Sequence, residues 1–293
     1  MGWMRLLVTG GTGFVGANLL RQALASGHEV LSLSRRPPTP TRGLHAVAAP
    51  IGSPPWDRIS GFQAEVLIHT AWEATPGVYL ESPENRDWVD WSEALIEGSV
   101  QRGIRRIVVV GTCIEYPITG QPLPETLATA PISLYARCKD ELHQRLTRRW
   151  NRSNISLVWA RLFYPYGPGE HPSRLCSSLI RRLKAGERIS LRTPHSMKDY
   201  VHIDDVGRAL LTLGSVDVSQ TVNIGTGTGT TVLELAQRIA GLVGRPDLVG
   251  WENPPEPDPL HHVVADVSRL RSLGWSPQVE LEEGLRALIR TLD

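Results

Sequence analysis

Residues 6–16 read LLVTGGTGFVG. The apolar run at the start predicts a buried parallel strand, and the sequence from Phe14 onward predicts a helix. Gly10 permits the tight turn out of the strand, Gly13 lets the backbone approach a diphosphate without a Cβ, and Gly16 lets the helix pack closely on the strand. The free N–H groups and the positive dipole end of that helix then face the phosphates. A purely structural glycine turn is the alternative, but its place between a strand and a helix favours a dinucleotide site.

Length and composition narrow the remaining possibilities. The 293 residues suffice for a dinucleotide-binding domain and a smaller lobe. The net charge of +1 gives no sign of the strongly basic surface that a nucleic acid or an acidic membrane would attract. Three cysteines without CxxC spacing argue against a disulfide framework or zinc site, and His261 and His262 lack a partner at metal-ligand spacing. No apolar run approaches the roughly 18 residues of a membrane span. We expect a soluble cytoplasmic protein without a metal.

Strand and helix patterns alternate along the first half of the chain, which predicts a parallel sheet with right-handed crossovers. The predicted strands are 5–9, 29–33, 45–49, 66–70, 106–110 and 156–161, and the predicted helices are 14–26, 84–102, 132–151 and 174–185. The alternation becomes irregular after Arg161. We therefore expect an α/β fold in which residues 1–163 form a Rossmann-type doubly wound parallel sheet, to which 200–225 return. Residues 164–293 would form mainly a smaller mixed α/β C-terminal lobe that binds substrate at the crevice.

The end of the second predicted strand decides which dinucleotide binds. NAD enzymes usually carry an acidic residue there, about 20 residues past the glycines, and Ser34 occupies that position. A carboxylate would repel a 2′-phosphate, whereas a serine hydroxyl followed by the guanidinium groups of Arg35 and Arg36 would bind it. The sequence therefore predicts NADP(H). NAD is the alternative if the two arginines are solvated loop charges.

Three side chains later in the chain have the chemistry of a proton-transfer site. Tyr135 and Lys139 are four residues apart, which places them on one face of a helix. An ammonium near a phenol favours the phenolate, lowers the pKa of the tyrosine and lets it exchange a proton near neutral pH. Thr112 follows the predicted strand 106–110, and its hydroxyl would point into the crevice, where it can bond a substrate carbonyl. We predict that these three residues form the catalytic group.

With these residues in place, the chain resembles the extended short-chain dehydrogenase/reductases that modify nucleotide sugars. The resemblance covers nearly the whole length. Its motifs are residues 9–16, 68–71 and 111–116, Tyr135 with Lys139, and then 161–168, 198–206, 222–227, 265–270 and 273–277.

The resemblance implies a role for each matching residue. Tyr135 would be the acid/base, Lys139 would bind the nicotinamide ribose and tune Tyr135, and Thr112 would stand at the position of the catalytic serine or threonine. The cofactor-binding residues would be Gly10, Thr12, Gly13, Phe14, Val15, Gly16, Ser34, Arg35, Arg36, Thr70, Ala71, Tyr135 and Lys139. The substrate would meet Arg174 and Lys198 at its diphosphate, together with Tyr164 and Cys113. A packing role is the alternative for Cys113.

Departures from the family pattern point to one reaction. Dehydratases carry an Asp-Glu pair directly after the catalytic threonine, where this chain has Cys113 and Ile114. Decarboxylating relatives place a glutamate at the Ile114 position, and Glu115 comes one residue later, where it need not reach the site. Tyr164 replaces a common substrate-binding asparagine, and Lys198 replaces the usual arginine. Hydride transfer at a sugar carbon remains.

We therefore predict NADP(H)-dependent reduction, at C4, of a nucleotide-activated 4-keto sugar that is 6-deoxy by family habit. A nucleotide-sugar 4-epimerase with retained NAD is the first alternative. A non-catalytic dinucleotide-sensing protein is a remote one, because such proteins often lose the tyrosine or the lysine. The resemblance also implies a homodimer formed through helices 84–102 and 132–151.

Overall fold

The computed structural model describes residues 2–150 and 153–292. Its central element is a sheet of seven parallel strands, flanked by helices. The strands are β1 (Arg5–Thr9), β2 (Glu29–Ser34), β3 (Leu44–Ala48), β4 (Val66–His69), β5 (Arg106–Thr112), β6 (Ser156–Leu162) and β11 (Gln220–Ile224). The helices are α1 (Phe14–Ala25), α2 (Trp56–Phe62), α3 (Asn85–Gln101), α4 (Leu134–Trp150) and α6 (Ile203–Ser215).

The strand order is β3-β2-β1-β4-β5-β6-β11, with every neighbouring pair parallel. Alternate residues of each strand face opposite sides of the sheet. Leu6 and Val8 of β1 pack with α1 and α6, whereas Leu7 packs with α2, α3 and α4. Both faces are thus buried, as a parallel sheet requires. The predicted doubly wound α/β fold is confirmed.

The other described residues form a smaller lobe with short strands and four helices, of which three pack together. Its strands are β7 (Tyr164–Tyr166), β8 (Ile189–Leu191), β9 (Met197–Lys198), β10 (Tyr200–His202), β12 (Thr230–Thr231), β13 (Val249–Trp251) and β14 (His262–Val263). Its helices are α5 (Leu175–Lys184), α7 (Val232–Leu242), α8 (Ser268–Ser272) and α9 (Leu281–Arg290). Apolar side chains of α5, α7 and α9 form its core. Between β10 and β12 the chain returns to the large sheet as α6 and β11.

Most element ends differ from the predicted ones by one or two residues, which is ordinary for sequence patterns. One such difference concerns the site, because β5 continues to Thr112 instead of ending at Val110. The predicted helix 132–151 begins at Leu134, and its last residue lies outside the described residues. Within the described chain, no helix is long and apolar enough to cross a bilayer.

Candidate active site

The glycine turn joins β1 to α1 with little space for side chains. Gly10 has a φ of +73°, and its N–H donates to the Leu33 carbonyl at 3.0 Å. A Cβ on Gly16 would lie 2.1 Å from the Gly10 oxygen, so the helix packs against the turn only with glycine there. At Gly13 the nearest atom to such a Cβ is that same oxygen, at 3.3 Å. The space in front of Gly13 is therefore left for a ligand, as a diphosphate site needs.

The carboxyl ends of β1 and β4 are tied together beside this turn. The Thr70 hydroxyl donates to the Thr9 carbonyl at 2.7 Å, and the Ala71 N–H donates to the Thr9 hydroxyl at 3.4 Å. The Thr70 hydroxyl oxygen is 2.9 Å from where a Cβ on Gly10 would lie. Thr70 and Ala71 therefore border the glycine turn. Thr12, Phe14 and Val15 lie on the turn itself and the first residues of α1.

The end of β2 presents one hydroxyl and two guanidinium groups. Ser34 is buried, and its Oγ has no hydrogen-bond partner among the described residues. Arg35 and Arg36 are exposed, and an Arg35 nitrogen lies 3.6 Å from the Glu73 carboxylate in the loop after β4. A hydrogen bond from the Thr75 hydroxyl, with help from Arg35, lowers the pKa of Glu73. An unpaired buried hydroxyl next to two cations suits an anionic group on a ligand.

Tyr135 and Lys139 lie on the first two turns of α4, facing the ends of β4 and β5. The Lys139 ammonium donates to the Val110 carbonyl at 2.8 Å and lies 5.9 Å from the centre of the Tyr135 ring. Lys139 is only 3% exposed. Burial lowers its pKa to about 7, although the Glu115 carboxylate opposes this shift. The lysine therefore titrates near neutral pH.

The pKa of the Tyr135 phenol is raised, whereas its spacing from Lys139 predicted a lowered one. Burial raises the pKa of the Tyr135 phenol above its ordinary value, Tyr79, Glu115 and Cys113 add to the rise, and Arg174 opposes it. Helical spacing alone ignores this loss of hydration, which opposes the charged form of a buried phenol. Tyr135 is thus protonated and has the state of an acid that can donate its proton.

Thr112 ends β5, and its backbone N–H is bonded to a buried glutamate. The Thr112 N–H donates to Glu115 Oε1 at 2.8 Å. The other carboxylate oxygen, Oε2, accepts from Arg161 Nε at 2.7 Å and from Trp159 Nε1 at 3.0 Å. Glu115 is fully buried, which raises its pKa, while Arg161 opposes this shift. The Glu115 carboxylate is therefore held by residues of β5 and β6.

Three of the four predicted substrate-binding residues line one cavity of about 310 Å³: Tyr164, Arg174 and Lys198. The Lys198 ammonium donates to Asp258 Oδ2 at 2.9 Å and to the Leu260 carbonyl. Arg174 donates to the Ala74 carbonyl at 3.4 Å. A volume of this order is at the lower end of small-molecule sites.

Cys113, the fourth predicted substrate residue, is not among the residues that line this cavity. It is buried, with 4% exposure, in a cluster with Tyr116, Leu123 and Phe163. Burial raises the pKa of its thiol to about 12, with Lys198 opposing the rise. Its surroundings fit the packing role.

Comparison with known proteins identifies the family. The model of the NAD dependent epimerase/dehydratase family matches residues 6–225. The chain belongs to this family. It is an NAD(P)-dependent enzyme, as the sequence predicted, and its resemblance to extended short-chain dehydrogenase/reductases is confirmed.

Two curated relatives and one solved structure of this epimerase/dehydratase family match nearly the full chain. A UDP-glucose 4-epimerase of Mycolicibacterium smegmatis is 29% identical over 96% of both chains. A dTDP-6-deoxy-L-talose 4-dehydrogenase (NAD(P)(+)) of Kitasatospora kifunensis is 30% identical over 97% of this chain and 94% of its own. The Thermus thermophilus UDP-glucose 4-epimerase in complex with NAD has a TM-score of 0.82 and 26% identity, over 99% of both chains.

The structure also contains site residues that the sequence patterns did not predict. Asp258 neutralises Lys198 from 60 residues away, and only the surrounding proline-rich segment 254–259 marks it as a loop. The Trp72 ring, in the loop after β4, lies against the Lys139 ammonium. Tyr79 packs edge-on against the Tyr135 ring, with ring centres 4.8 Å apart. No sequence pattern reports such contacts between segments.

Three side chains bring ligand-type atoms within 4.8 Å of one another beneath β5: Glu115, Asp140 and His143. The Glu115 carboxylate is already bonded to Arg161, and Asp140 accepts from Gln144 at 2.7 Å. Burial, together with the Arg161 charge, lowers the pKa of His143 to about 4. Because the Arg161 guanidinium binds the same carboxylate that a cation would need, we interpret this group as a hydrogen-bonded cluster.

Proposed function

We propose that this enzyme reduces a nucleotide-activated 4-keto sugar at C4, using NADPH. The observation that carries the proposal is a protonated, half-buried Tyr135 next to the Lys139 ammonium, which is bonded to the Val110 carbonyl of β5. Thr112 donates a hydrogen bond that orients the C4 carbonyl, and Tyr135 gives its phenolic proton to the oxygen as that carbon is reduced. Bound NADPH supplies the hydride, so the ketone becomes an alcohol. Lys139 holds positive charge beside the phenolate that results.

The choice of NADPH is supported by the end of β2. Ser34 offers an unpaired buried hydroxyl, and Arg35 and Arg36 supply positive charge. A 2′-phosphate could accept from all three groups. The Kitasatospora relative is named for use of either NAD or NADP, and the space in front of Gly13 fits the diphosphate that both share.

The nature of the substrate is supported by the relatives and by the cavity. The Kitasatospora protein is by name a 4-dehydrogenase of a dTDP-6-deoxy sugar. Its reaction in reverse is the reduction of a 4-keto group. Arg174 and Lys198 line the cavity as the cations that a diphosphate would contact. We therefore propose a 4-keto-6-deoxy sugar on a nucleoside diphosphate.

A 4-epimerase with retained NAD is the second candidate, because the two UDP-glucose 4-epimerases described above match the chain over nearly its full length. The two reactions differ in whether the cofactor is consumed. A reductase oxidises one NADPH for each sugar and must release it, whereas an epimerase returns the hydride to the same sugar.

The deciding experiment measures both properties of the purified protein. The nucleotide released on denaturation is identified, and NADPH absorbance is followed with a dTDP-4-keto-6-deoxy sugar. We expect substrate-dependent NADPH oxidation. Tightly held NAD, with interconversion of UDP-glucose and UDP-galactose and no NADPH oxidation, would favour the epimerase.

Variants of the proposed catalytic group test the assignment of roles. Tyr135→Phe removes the proton donor, and we expect the rate to fall about 10²- to 10⁴-fold. Thr112→Val should also lower the rate, whereas Thr112→Ser keeps the hydroxyl and serves as the matched control. Full activity of Tyr135→Phe would contradict the mechanism.

We also propose that the protein is a cytoplasmic homodimer joined through α3 and α4. Trp91 on α3 is 39% exposed, which leaves a large aromatic surface for a partner. The three cysteines are free, which suits a reducing compartment. Sedimentation of the wild type and of Trp91→Glu tests the dimer. A wild-type monomer at all concentrations would contradict it.

A further inference from the structure

The loop between β4 and α3 carries an aromatic contact to the catalytic lysine. We propose that Trp72 is a positioning residue, which fixes the Lys139 ammonium in its charged form and in its direction toward the nicotinamide ribose. The inference rests on the proposed function for the role of Lys139. The contact itself is a property of the free protein.

The Lys139 ammonium lies 3.9 Å from the centre of the Trp72 ring. This distance is well inside the range of about 6 Å for a cation–π interaction, and indole is the aromatic ring that attracts a cation most strongly. Lys139 is buried, so little water competes for its charge. The described residues include no carboxylate that forms a salt bridge with Lys139. The face of Trp72 therefore supplies negative potential where a counter-ion is missing.

A buried asparagine fixes the indole in this position. The Trp72 Nε1–H donates to Asn85 Oδ1 at 2.8 Å, and Trp88 stacks on Trp72 with ring centres 5.9 Å apart. Asn85 is 1% exposed at the start of α3. Its side-chain amide also donates to the carbonyls of Tyr79 and Ser82, at 2.7 and 2.9 Å. Both the ring edge and one ring face are thus held, and the indole cannot turn away without breaking these contacts.

The same asparagine connects the lysine contact with the catalytic tyrosine. Tyr79 packs edge-on against Tyr135 at an interplanar angle of 85°, and the carbonyl of Leu80 accepts from the Tyr135 N–H at 2.9 Å. The Asn85 side-chain amide bonds both the Trp72 indole and the Tyr79 carbonyl, so one buried amide holds the aromatic rings that contact Lys139 and Tyr135.

Among the described residues, the other titratable groups near Lys139 are few. His69 on β4 is neutral, because burial and the Lys139 charge lower its pKa to about 3. Glu115, which follows β5, is ion-paired with Arg161. Tyr135 on α4 is protonated near neutral pH. Since burial already opposes the lysine charge, loss of the Trp72 ring face should leave more Lys139 uncharged at neutral pH.

The chain makes a direct measurement practical, because it contains only three lysines, at 139, 184 and 198. Nitrogen-15 NMR of the free protein with labelled lysine can follow each ammonium across pH, with Lys184→Arg and Lys198→Arg as assignment variants. For Trp72→Leu we expect the Lys139 titration to move toward lower pH by about one unit. Trp72→Phe keeps a weaker ring face and should recover part of the shift.

Kinetics then test the consequence for the proposed reaction. We expect the KM for NADPH of Trp72→Leu to rise about tenfold, and the alkaline limb of its pH–rate profile to move to lower pH by the same amount. Trp56→Leu is the matched control. It removes a cation–π contact of similar geometry, with Arg102 at 4.1 Å, and should change neither quantity.

The outcomes separate the two proposals. A normal Lys139 titration in Trp72→Leu and in Trp72→Phe would overturn the inference, whatever reaction the enzyme performs. A shifted titration in a protein that oxidises no NADPH would support the contact and contradict the proposed function. If Trp72→Leu does not fold, Trp72→Phe decides, and an unshifted lysine in that variant would overturn the inference.

Discussion

Two salt bridges, one in the large sheet and one in the smaller lobe, differ in how completely they are enclosed. Glu115 and Arg161 lie in the large sheet, with side chains 0% and 3% exposed. Asp258 and Lys198 lie in the smaller lobe, with side chains 18% and 9% exposed. The first pair has further donors from Trp159 and the Thr112 backbone. The second borders the cavity.

This difference in enclosure gives the two ion pairs different roles. The Glu115–Arg161 pair can only support the structure, whereas the Asp258–Lys198 pair can contact a ligand. An ion pair sealed in the sheet cannot exchange its partner without leaving a buried charge, so it can only hold the β5 end in place. An ion pair at a cavity edge can exchange its carboxylate for a phosphate. We therefore interpret the Glu115–Arg161 pair as fixed and the Asp258–Lys198 pair as exchangeable.

The first prediction has the largest expected effect and concerns the Glu115–Arg161 pair. Glu115→Ala leaves the Arg161 charge buried and unpaired, and we expect the free energy of unfolding to fall by about 3–5 kcal/mol. Urea unfolding measures the change. The double variant Glu115→Met with Arg161→Met removes both charges and should recover most of the loss. The comparison fails if Asp258→Ala is as destabilising as Glu115→Ala.

A second prediction compares the two buried lysines. The folded-state pKa of Lys139, about 7, lies below its ordinary value of 10.5. Below about pH 7 the lysine is charged in both the folded and the unfolded chain, so the free energy of unfolding carries the whole cost of the buried charge. This cost disappears as the pH rises toward 10.5. Lys139→Met should be inactive but more stable than the wild type at pH 6, by an amount on the order of a few kcal/mol, with no gain near pH 10.

Lys198→Met is the control for this measurement, since it leaves Asp258 without its cation and should lower stability. Thermal unfolding of both variants at several pH values gives the answer. A Lys139→Met gain that does not depend on pH would contradict the explanation by buried charge.

The third prediction concerns exchange of the Lys198 partner. Asp258→Asn removes the carboxylate that competes with phosphate, so we expect a nucleoside diphosphate to bind about five- to tenfold more tightly, which is roughly 1 kcal/mol. Calorimetry with UDP, dTDP and GDP measures the affinity and also shows which base the cavity accepts. Weaker binding by Asp258→Asn would show that the pair acts as a unit.

The smallest expected effect is at the end of β2. Glu73→Gln removes the carboxylate near Arg35 and should strengthen NADPH binding about two- to threefold, because the exposed pair is weak. Arg35→Ser should weaken NADPH binding and leave NADH binding almost unchanged. Equal effects on NADPH and NADH would argue against a 2′-phosphate contact.

The fold could be predicted from the sequence because its signals are local. The glycine turn and the alternation of strands and helices require only neighbouring residues, and the seven-stranded sheet follows from them. The pairing of Tyr135 with Lys139 is also local, at one helical turn. The pKa of Tyr135 was not predictable in this way, because it depends on loss of hydration and on charges from other segments, such as Tyr79 and Glu115.

The partners of the charged residues lay beyond sequence reasoning for the same reason. Glu115 reaches Arg161 across 46 residues, and Lys198 reaches Asp258 across 60. Composition and spacing show which side chains carry charge, and only tertiary packing shows which charges meet. Features set by neighbouring residues were therefore easier to predict than contacts between distant segments.

The order of the strands has a consequence for synthesis of the chain. β11, the edge strand beside β6, comes from residues 220–224, after the first part of the smaller lobe, from β7 to β10, has been made. Until those residues leave the ribosome, β6 is an open edge of seven residues that are all buried in the finished protein. Such an edge can pair with another unfinished chain. Fragments that stop before residue 220 should therefore aggregate, whereas fragments that include β11 should stay dispersed.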